Sequence, residues 1–167
     1  MQTMAMPFKV GDKAVYPSQG VAEIIQIEEK DIAGTRQRFY VLRILGTNHK
    51  ILVPVSNATA VGLRQVINEL EIQEIFDLLR IQNFTFDYQT WKRRHRNFIE
   101  KIRTGSLHHI AEVLRNLYQL KTKKQLSYLE RQLLKTAQSL MIKEIAIARN
   151  QPEEDIKAEI EALITTN

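Results

Sequence analysis

The sequence predicts an α+β protein: a small antiparallel β unit followed by a compact all-helical unit. Three observations carry that prediction. From Phe8 to about Leu63, short runs rich in β-branched and aromatic residues alternate with Gly, Pro and Asn turn signals. Near Val66 the apolar spacing changes from period two to a helical period, and the change lasts to the end of the chain. Between these regions, Gly62 to Asn68 fits neither pattern and reads as the boundary, which divides the chain into residues 1–66 and 67–167.

The first unit is read in order. Val10–Pro17 is a short strand ended by proline, and Ser18-Gln-Gly20 is a turn. Val21–Ile27 is a second strand. Glu28–Asp31 is polar, and Ala33-Gly34 offers another turn. Phe39–Leu45 is the strongest strand, Gly46-Thr-Asn48 turns it, and Lys50–Val55 returns. Short strands with turns between them suggest a small barrel or a strongly bent sheet. Ile51-Leu-Val53 followed by Pro54 reads as an edge strand, because proline cannot donate to a ladder. Such an edge is either covered or offered to a partner's strand; the residues by themselves favour the covered reading.

In the second unit, Leu70, Ile72, Ile75, Phe76 and Leu79 place a helix over Glu69–Arg80. Asn83-Phe-Thr-Phe-Asp87 breaks it. Thr90 is an N-cap candidate for a helix opened by Trp91. Gly105 closes that helix, and Ser106 caps the next, whose stripe is Leu107, Ile110, Leu114, Leu117 and Tyr118. Lys121-Thr-Lys-Lys124 reads as a basic loop. Ser127-Tyr-Leu-Glu130 is a capping box that starts a helix running to about Arg149, with Leu133, Ala137, Leu140, Met141 and Ile145 inward. Pro152 opens a last helix whose first turn carries Glu153, Glu154 and Asp155, complementing its dipole.

The 167 residues carry a formal net charge of +5 and 44% hydrophobic residues, and they contain no cysteine. That composition suits a globular protein with an anionic partner and excludes a disulfide framework or thiolate chemistry. No apolar run approaches the roughly 20 residues that span a bilayer. Met1–Met6 is too short and uncharged for a signal peptide, so a soluble cytoplasmic protein with no membrane partner is expected. There is no phosphate loop, dinucleotide fingerprint or nucleophile elbow. His108 and His109 are adjacent and point about 100° apart on a helix, which rules them out as an i, i+4 metal pair. No enzyme activity, cofactor, metal or small-molecule substrate is expected.

The stretch Asp87–Arg103 holds the only tryptophan, directly before Lys92, Arg93, Arg94 and Arg96. Phe98 and Ile102 fall within roughly 20° of Trp91 on the helical wheel, so Trp91 fits a core position. Lys92, Arg93, Arg94, Arg96, Lys101 and Arg103 take the opposite, polar side. Cations in a first helical turn face the positive end of the dipole and cost a few tenths of a kcal/mol each. An anionic partner would account for them: the ring can pack on bases while the cations hold phosphates.

Several stretches resemble, in order, the CarD/CdnL family of bacterial transcription regulators. The opening Phe8-Lys-Val-Gly-Asp-Lys-Ala-Val-Tyr-Pro-Ser-Gln-Gly-Val21 begins the match. Phe39-Tyr-Val-Leu42, Val53-Pro54 and Val61-Gly-Leu-Arg64 continue it. Trp91-Lys-Arg-Arg94, Glu100–Ser106, Ile110–Arg115 and Leu126-Ser127 carry it through the helical half. The resemblance implies a Tudor-like barrel in residues 1–66, similar to the polymerase-interacting module of the transcription-repair coupling factor. That barrel would dock on the RNA polymerase β subunit (the protrusion, or lobe) strand to strand, through Lys50, Ile51, Leu52, Val53 and Pro54, with Lys30 at a basic contact position. Some relatives have arginine where this chain has Leu52, so the contact there is expected to be apolar.

The family's helical half implies binding to promoter DNA at the upstream edge of the bubble, near the −10 element. Trp91 would wedge into the splayed minor groove, with Arg93, Arg94 and Arg131 on the DNA backbone. This reverses the core reading of Trp91. The implied protein is a non-enzymatic monomer, associated with the nucleoid through polymerase, that stabilises open promoter complexes, notably at ribosomal RNA promoters. The residues leave a second class open: a protein-interaction module with a solvated basic face and no direct DNA contact.

Overall fold

The computed structural model describes residues 8–81 and 91–165. The expected breaker at 83–87, the expected N-cap at Thr90 and the side chain of Trp91 lie outside the described residues. The strands are β1 (Lys13–Tyr16), β2 (Gly20–Ile32), β3 (Thr35–Ile44), β4 (Lys50–Pro54) and β5 (Arg64–Gln65), with a 3-10 turn at Val55–Asn57. The helices are α1 (Glu69–Arg80), α2 (Trp91–Arg103), α3 (Leu107–Lys123), α4 (Tyr128–Arg149) and α5 (Glu153–Thr165). The chain divides into two compact units, Met1–Val66 and Ile67–Asn167.

The first unit is one antiparallel sheet in the order β4-β3-β2-β1-β5. A long β2 makes this possible: Gly20–Glu23 pair with β1 and Ala22–Ile32 with β3, and the register shifts between Ile24 and Gln26. Such a bulge bends a strand and raises its twist. Ala14, Ala22, Ile24, Tyr40, Leu42, Ile44 and Val53 meet in the core, where Phe8 stands edge-on to Tyr40 at 5.8 Å between ring centroids. Gly62 closes the sheet's last turn at φ +86°. A Cβ there would lie 2.9 Å from Pro17 Cγ, so both backbone conformation and space demand glycine.

The sheet unit differs from the sequence reading in strand extent, beginning with β1, which covers only Lys13–Tyr16 of the expected Val10–Pro17. Glu28–Asp31 does not end the strand; β2 continues to Ile32 and pairs outward with β3 as a hairpin arm. Ala33 (φ 52°) and Gly34 (φ 80°) make its two-residue turn, the mirror-image type whose twist matches the strands. The short strand β5 was not anticipated, since two residues give no periodicity to read.

β4 lies at one edge of the sheet. Ile44 N–H donates to His49 C=O at 2.8 Å, and the register pairs Leu42 with Ile51 and Tyr40 with Val53. Antiparallel alternation then turns the peptide groups of Ile51 and Val53 toward β3 and those of Lys50 and Leu52 outward. Pro54, with no N–H, falls on the outward series, where its missing donor costs no ladder bond.

The helical unit is built from well-capped segments. Ser127 and Glu130 form the expected capping box of α4, and Ser106 caps α3. A second box, Asn68 with Glu71, starts α1. Gly105, at φ 72°, ends α2 with its N–H on Ile102 C=O. Lys121–Lys123 form the last turn of α3 rather than a loop, where cations complement the dipole. Leu70 is 70% exposed rather than inward: it sits about 200° around the helix from Ile72, on the far side of the buried stripe.

Two charged residues tie the helices together. The buried Glu144 carboxylate accepts the Ile67 N–H at 2.9 Å, anchoring the segment before α1 to the C-terminal third of α4. Arg149 binds Glu69 of α1 through Nε (3.1 Å) and Nη2 (2.7 Å), and Glu159 of α5 through Nη1 (3.0 Å). Its guanidinium lies 5.0 Å from the Phe76 ring centroid. The Arg149 hydrogen bonds, helped by Gln73, push the Glu69 carboxyl down to about 2.

A lowered folded pKa contributes stability above the unfolded value and loses it as pH falls through the folded one. The Glu69 contribution is therefore present at neutral pH and is lost between about 4.5 and about 2. Carboxyl NMR titration should find Glu69 near the lower figure in the wild type. In Arg149→Gln it should return toward the ordinary value. A Glu69 titration that Arg149→Gln leaves unmoved would refute the clamp.

Candidate functional site

The residues singled out from the sequence fall into one group in each unit. In the sheet unit, Lys50, Ile51, Leu52, Val53 and Pro54 are β4 itself. Val53 is buried and Ile51 packs on the core, while Lys50 is exposed and Leu52 is 42% exposed. The strand thus holds itself down by alternate residues and presents Leu52 with an outward-facing backbone. Lys30 lies on the hairpin arm opposite Gln37, two positions along β3 from the Phe39–Pro54 pair. It is exposed and 3.7 Å from Glu28. Beside it, Arg36 and Arg38 both bind Glu29, at 2.8 and 3.2 Å. Exposed pairs of this kind contribute about 0–1 kcal/mol, so the arm is ordered mainly by its ladder.

In the helical unit, Trp91 is the first residue of α2, and Lys92, Arg93 and Arg96 are exposed. Phe98 and Ile102 are buried, as the stripe requires. Arg94 departs from the solvated polar face expected for it: only 9% of it is exposed. Its Nε (3.3 Å) and Nη2 (3.1 Å) both donate to Glu130 Oε2. Residue 94 lies about 40° from Phe98, four positions on, which brings it to the rim of the buried stripe.

Glu130 is the other half of the arrangement. It is 1% exposed and is also the capping residue of α4. Its Oε1 accepts the Ser127 N–H at 3.0 Å and lies 3.2 Å from Lys124 Nζ. Burial alone would raise its pKa; hydrogen bonds from Ser127 and Lys124 outweigh this and hold it below the usual carboxylate range. The pair locks the first turn of α2 to the first turn of α4. Arg131, the next residue, is exposed there, with Nη1 donating to Leu126 C=O at 2.8 Å. Arg93 and Arg131 are thus carried on two helix starts that a buried ion pair binds together.

Sequence reasoning found the capping box but not its second role. The available signal was only that Arg94 stands about 40° from Phe98, in a helix start with no acidic residue of its own; its partner was not visible. Glu144 was also missed, although a lone acid beside Met141 and Ile145 on an apolar stripe was visible. Among the described residues no group of three or more His, Asp or Glu could hold a metal. Among them, too, no helix is long and apolar enough to cross a membrane.

The β unit has an open edge at β4, and the starts of α2 and α4 carry exposed cations. Comparison with known proteins identifies the class. Residues 8–67 match the CarD-like/TRCF RID domain, and residues 74–161 match the CarD C-terminal domain. The Bacillus subtilis (strain 168) protein YdeB, which carries a transcription-factor designation, is 30% identical over 151 residues, spanning 90% of this chain and 98% of that protein. The solved structure of CdnLNt from Myxococcus xanthus is 51% identical, with 41% of this chain and 97% of that one covered, at a TM-score of 0.33. The N-terminal domain of Myxococcus xanthus CarD is 32% identical, with 38% of this chain and 84% of that one covered, at a TM-score of 0.32. The chain belongs to the CarD/CdnL family. It is a transcription-associated regulator of the type that interacts with RNA polymerase, and the family is not a known enzyme class.

Removing one partner of a buried ion pair leaves an uncompensated charge and costs about 3–5 kcal/mol. Arg94→Met should therefore destabilise the protein by that order in chemical unfolding. Glu130→Gln keeps the capping box but not the charge. The double variant Arg94→Met/Glu130→Gln should recover a large part of the loss. Strict additivity of the two single effects would show that the pair is not coupled.

Proposed function

We propose that this protein binds the RNA polymerase β subunit, at the protrusion or lobe, through β4. The helical unit then engages promoter DNA at the upstream edge of the −10 bubble and stabilises the open complex, notably at ribosomal RNA promoters. On this reading it acts as a monomer in the cytoplasm, held at the nucleoid through polymerase. The observation that carries the reading is the Arg94–Glu130 lock, which mounts Arg93 and Arg131 together at the starts of α2 and α4, with Trp91 opening α2.

The roles divide as follows. Trp91 is the apolar wedge. Unstacking one base step costs a few kcal/mol, and an inserted plate offsets this at a bubble edge. The open state is favoured only to the extent that it is bound better than the closed state. Arg93 and Arg131 hold phosphates, which makes part of the affinity salt-dependent and sequence-independent. Arg94, buried against Glu130, reaches the DNA backbone only at the rim and chiefly fixes the angle at which Trp91 and Arg93 are presented. On the sheet, the outward peptide groups of Lys50 and Leu52 accept a partner strand, Leu52 gives the contact an apolar character, and Lys30 adds a basic contact.

The test of the wedge is the lifetime of open complexes on a ribosomal RNA promoter with the cognate polymerase. Wild type should lengthen it. Trp91→Ala should lose most of the gain, about tenfold or more, while melting within a few degrees of wild type. A core tryptophan would instead cost about 3–5 kcal/mol of stability when removed. Equal lifetimes for the two proteins would overturn the wedge, and absence of salt-dependent binding to forked promoter DNA would favour the plain interaction module.

The docking strand is tested separately. Leu52→Asp places a charge on the edge and should weaken binding to the polymerase β lobe by about tenfold, since charged edge residues block strand addition. Binding to forked DNA should be unchanged. Undiminished β-lobe affinity in a competition assay would remove β4 from the interface.

A further inference from the structure

The helical unit contains a cleft of about 560 Å³ that the promoter reading does not use as a cleft. Its walls come from the end of α3, the α3–α4 link, α4 and α5. Lys121, Lys124, Arg131, Lys135 and Lys157 line it. Lys124 is occupied by Glu130. Among the described residues, Lys121, Lys135 and Lys157 have no carboxylate partner. Unpaired cations converging from three helices on one concavity repel one another, and a bound polyanion removes that repulsion.

The cleft is not charged throughout. Leu126 is 5% exposed, Leu134 is partly buried, and the Tyr118 ring carries Lys121 Nζ 5.7 Å from its centroid. These give an apolar wall against which a planar ring can lie. Gln138 Nε2 donates to Tyr118 Oη at 2.8 Å, which leaves its carbonyl oxygen as an acceptor. Glu161 also lines the cleft and is half-buried there; its charge is felt at Tyr118, whose hydroxyl is pushed up chiefly by burial. An anion-only ligand would be repelled by Glu161. A ligand with phosphates at one end and hydroxyl or amino donors at the other satisfies both.

We propose that this cleft binds a nucleoside di- or triphosphate, with the phosphates among Lys121, Lys135, Lys157 and Arg131. The base and sugar then lie between Tyr118 and Leu134, where Glu161 and Gln138 accept hydrogen bonds. The volume is within the roughly 300–1,000 Å³ usual for small-ligand sites. Duplex DNA requires cations spread along a line, whereas these gather around one concavity. The proposal is independent of the wedge at Trp91. Because Arg131 belongs to both readings, an occupied cleft would also withdraw a phosphate contact from the promoter.

The test is isothermal titration calorimetry of the full chain with ATP, with tripolyphosphate and with a short DNA duplex. The variants are Lys157→Glu, Lys135→Glu and, as a charge-matched control far from the cleft in sequence, Lys9→Glu. Circular dichroism checks that each exposed-lysine variant stays folded. Expected is saturable 1:1 binding of ATP in the micromolar range, at least tenfold tighter than tripolyphosphate. Lys157→Glu and Lys135→Glu should weaken it at least tenfold, and Lys9→Glu should not. Absence of saturable ATP binding overturns the proposal. So does tripolyphosphate binding as tightly, or equal weakening by Lys9→Glu. DNA binding that depends on Lys157 while ATP does not bind would assign the cleft to nucleic acid instead.

Discussion

The carboxylate of Glu130 is the constraint on which the helical unit depends. A buried charge without partners costs several kcal/mol, so a folded state that buries Glu130 must supply donors. Four converge: the Ser127 N–H and Lys124 on one oxygen, and Arg94 Nε and Nη2 on the other. Two of these come from the local capping motif and its flank, and two from a different helix. The carboxylate therefore couples a local event, the start of α4, to a tertiary one, the position of α2. Buried pairs of this type add little net stability compared with apolar packing. Their effect is on geometry, because only one placement of α2 satisfies every donor. This explains why an arginine, with its planar fork of donors, stands at the apolar rim of α2 where leucine would pack as well.

A comparable constraint shapes the sheet unit. Every buried backbone group needs a partner, yet an edge strand has half its groups without one. In β4 the conflict is resolved by position: Ile51 and Val53 spend their peptide groups on β3, and Pro54 removes a donor on the outer side. What remains is a short outward strip at Lys50 and Leu52. So short a strip limits uncontrolled edge-to-edge pairing. On the proposed reading, that strip is where a partner strand would add.

The α+β class, the five helices among the described residues and the edge character of β4 were legible because each rests on local chemistry: caps, turns and apolar spacing. Ser127-Tyr-Leu-Glu130 fixed a helix start from four residues. Ser106 and Gly105 fixed another junction. Properties that depend on distant partners were not legible. Arg94 looked solvent-facing because five other cations share its helix; only the fold shows that Glu130, 36 positions away, draws it inward. The length of β2 was misjudged because Glu28–Asp31 is polar on both faces, and a hairpin arm that stands clear of the core has no apolar alternation to read. The partners of Glu144 and Arg149 belong to the same class: Ile67 and Glu69 lie 77 and 80 positions away.

On the proposed reading, these two solutions explain why a tryptophan can act at the start of a helix at all. Helix ends fray, and a wedge on a fraying turn would spend its binding energy on ordering itself. The first turn of α2 has no acidic residue to complement its dipole and carries several cations instead, so by itself it is a poor helix start. The Arg94–Glu130 pair places a buried carboxylate beside that turn, which offsets both the cation repulsion and the dipole mismatch. The ordering cost is then met on folding rather than on binding. The basic residues that disfavour the helix start stay available for phosphates, and the one that does not, Arg94, holds the others in place.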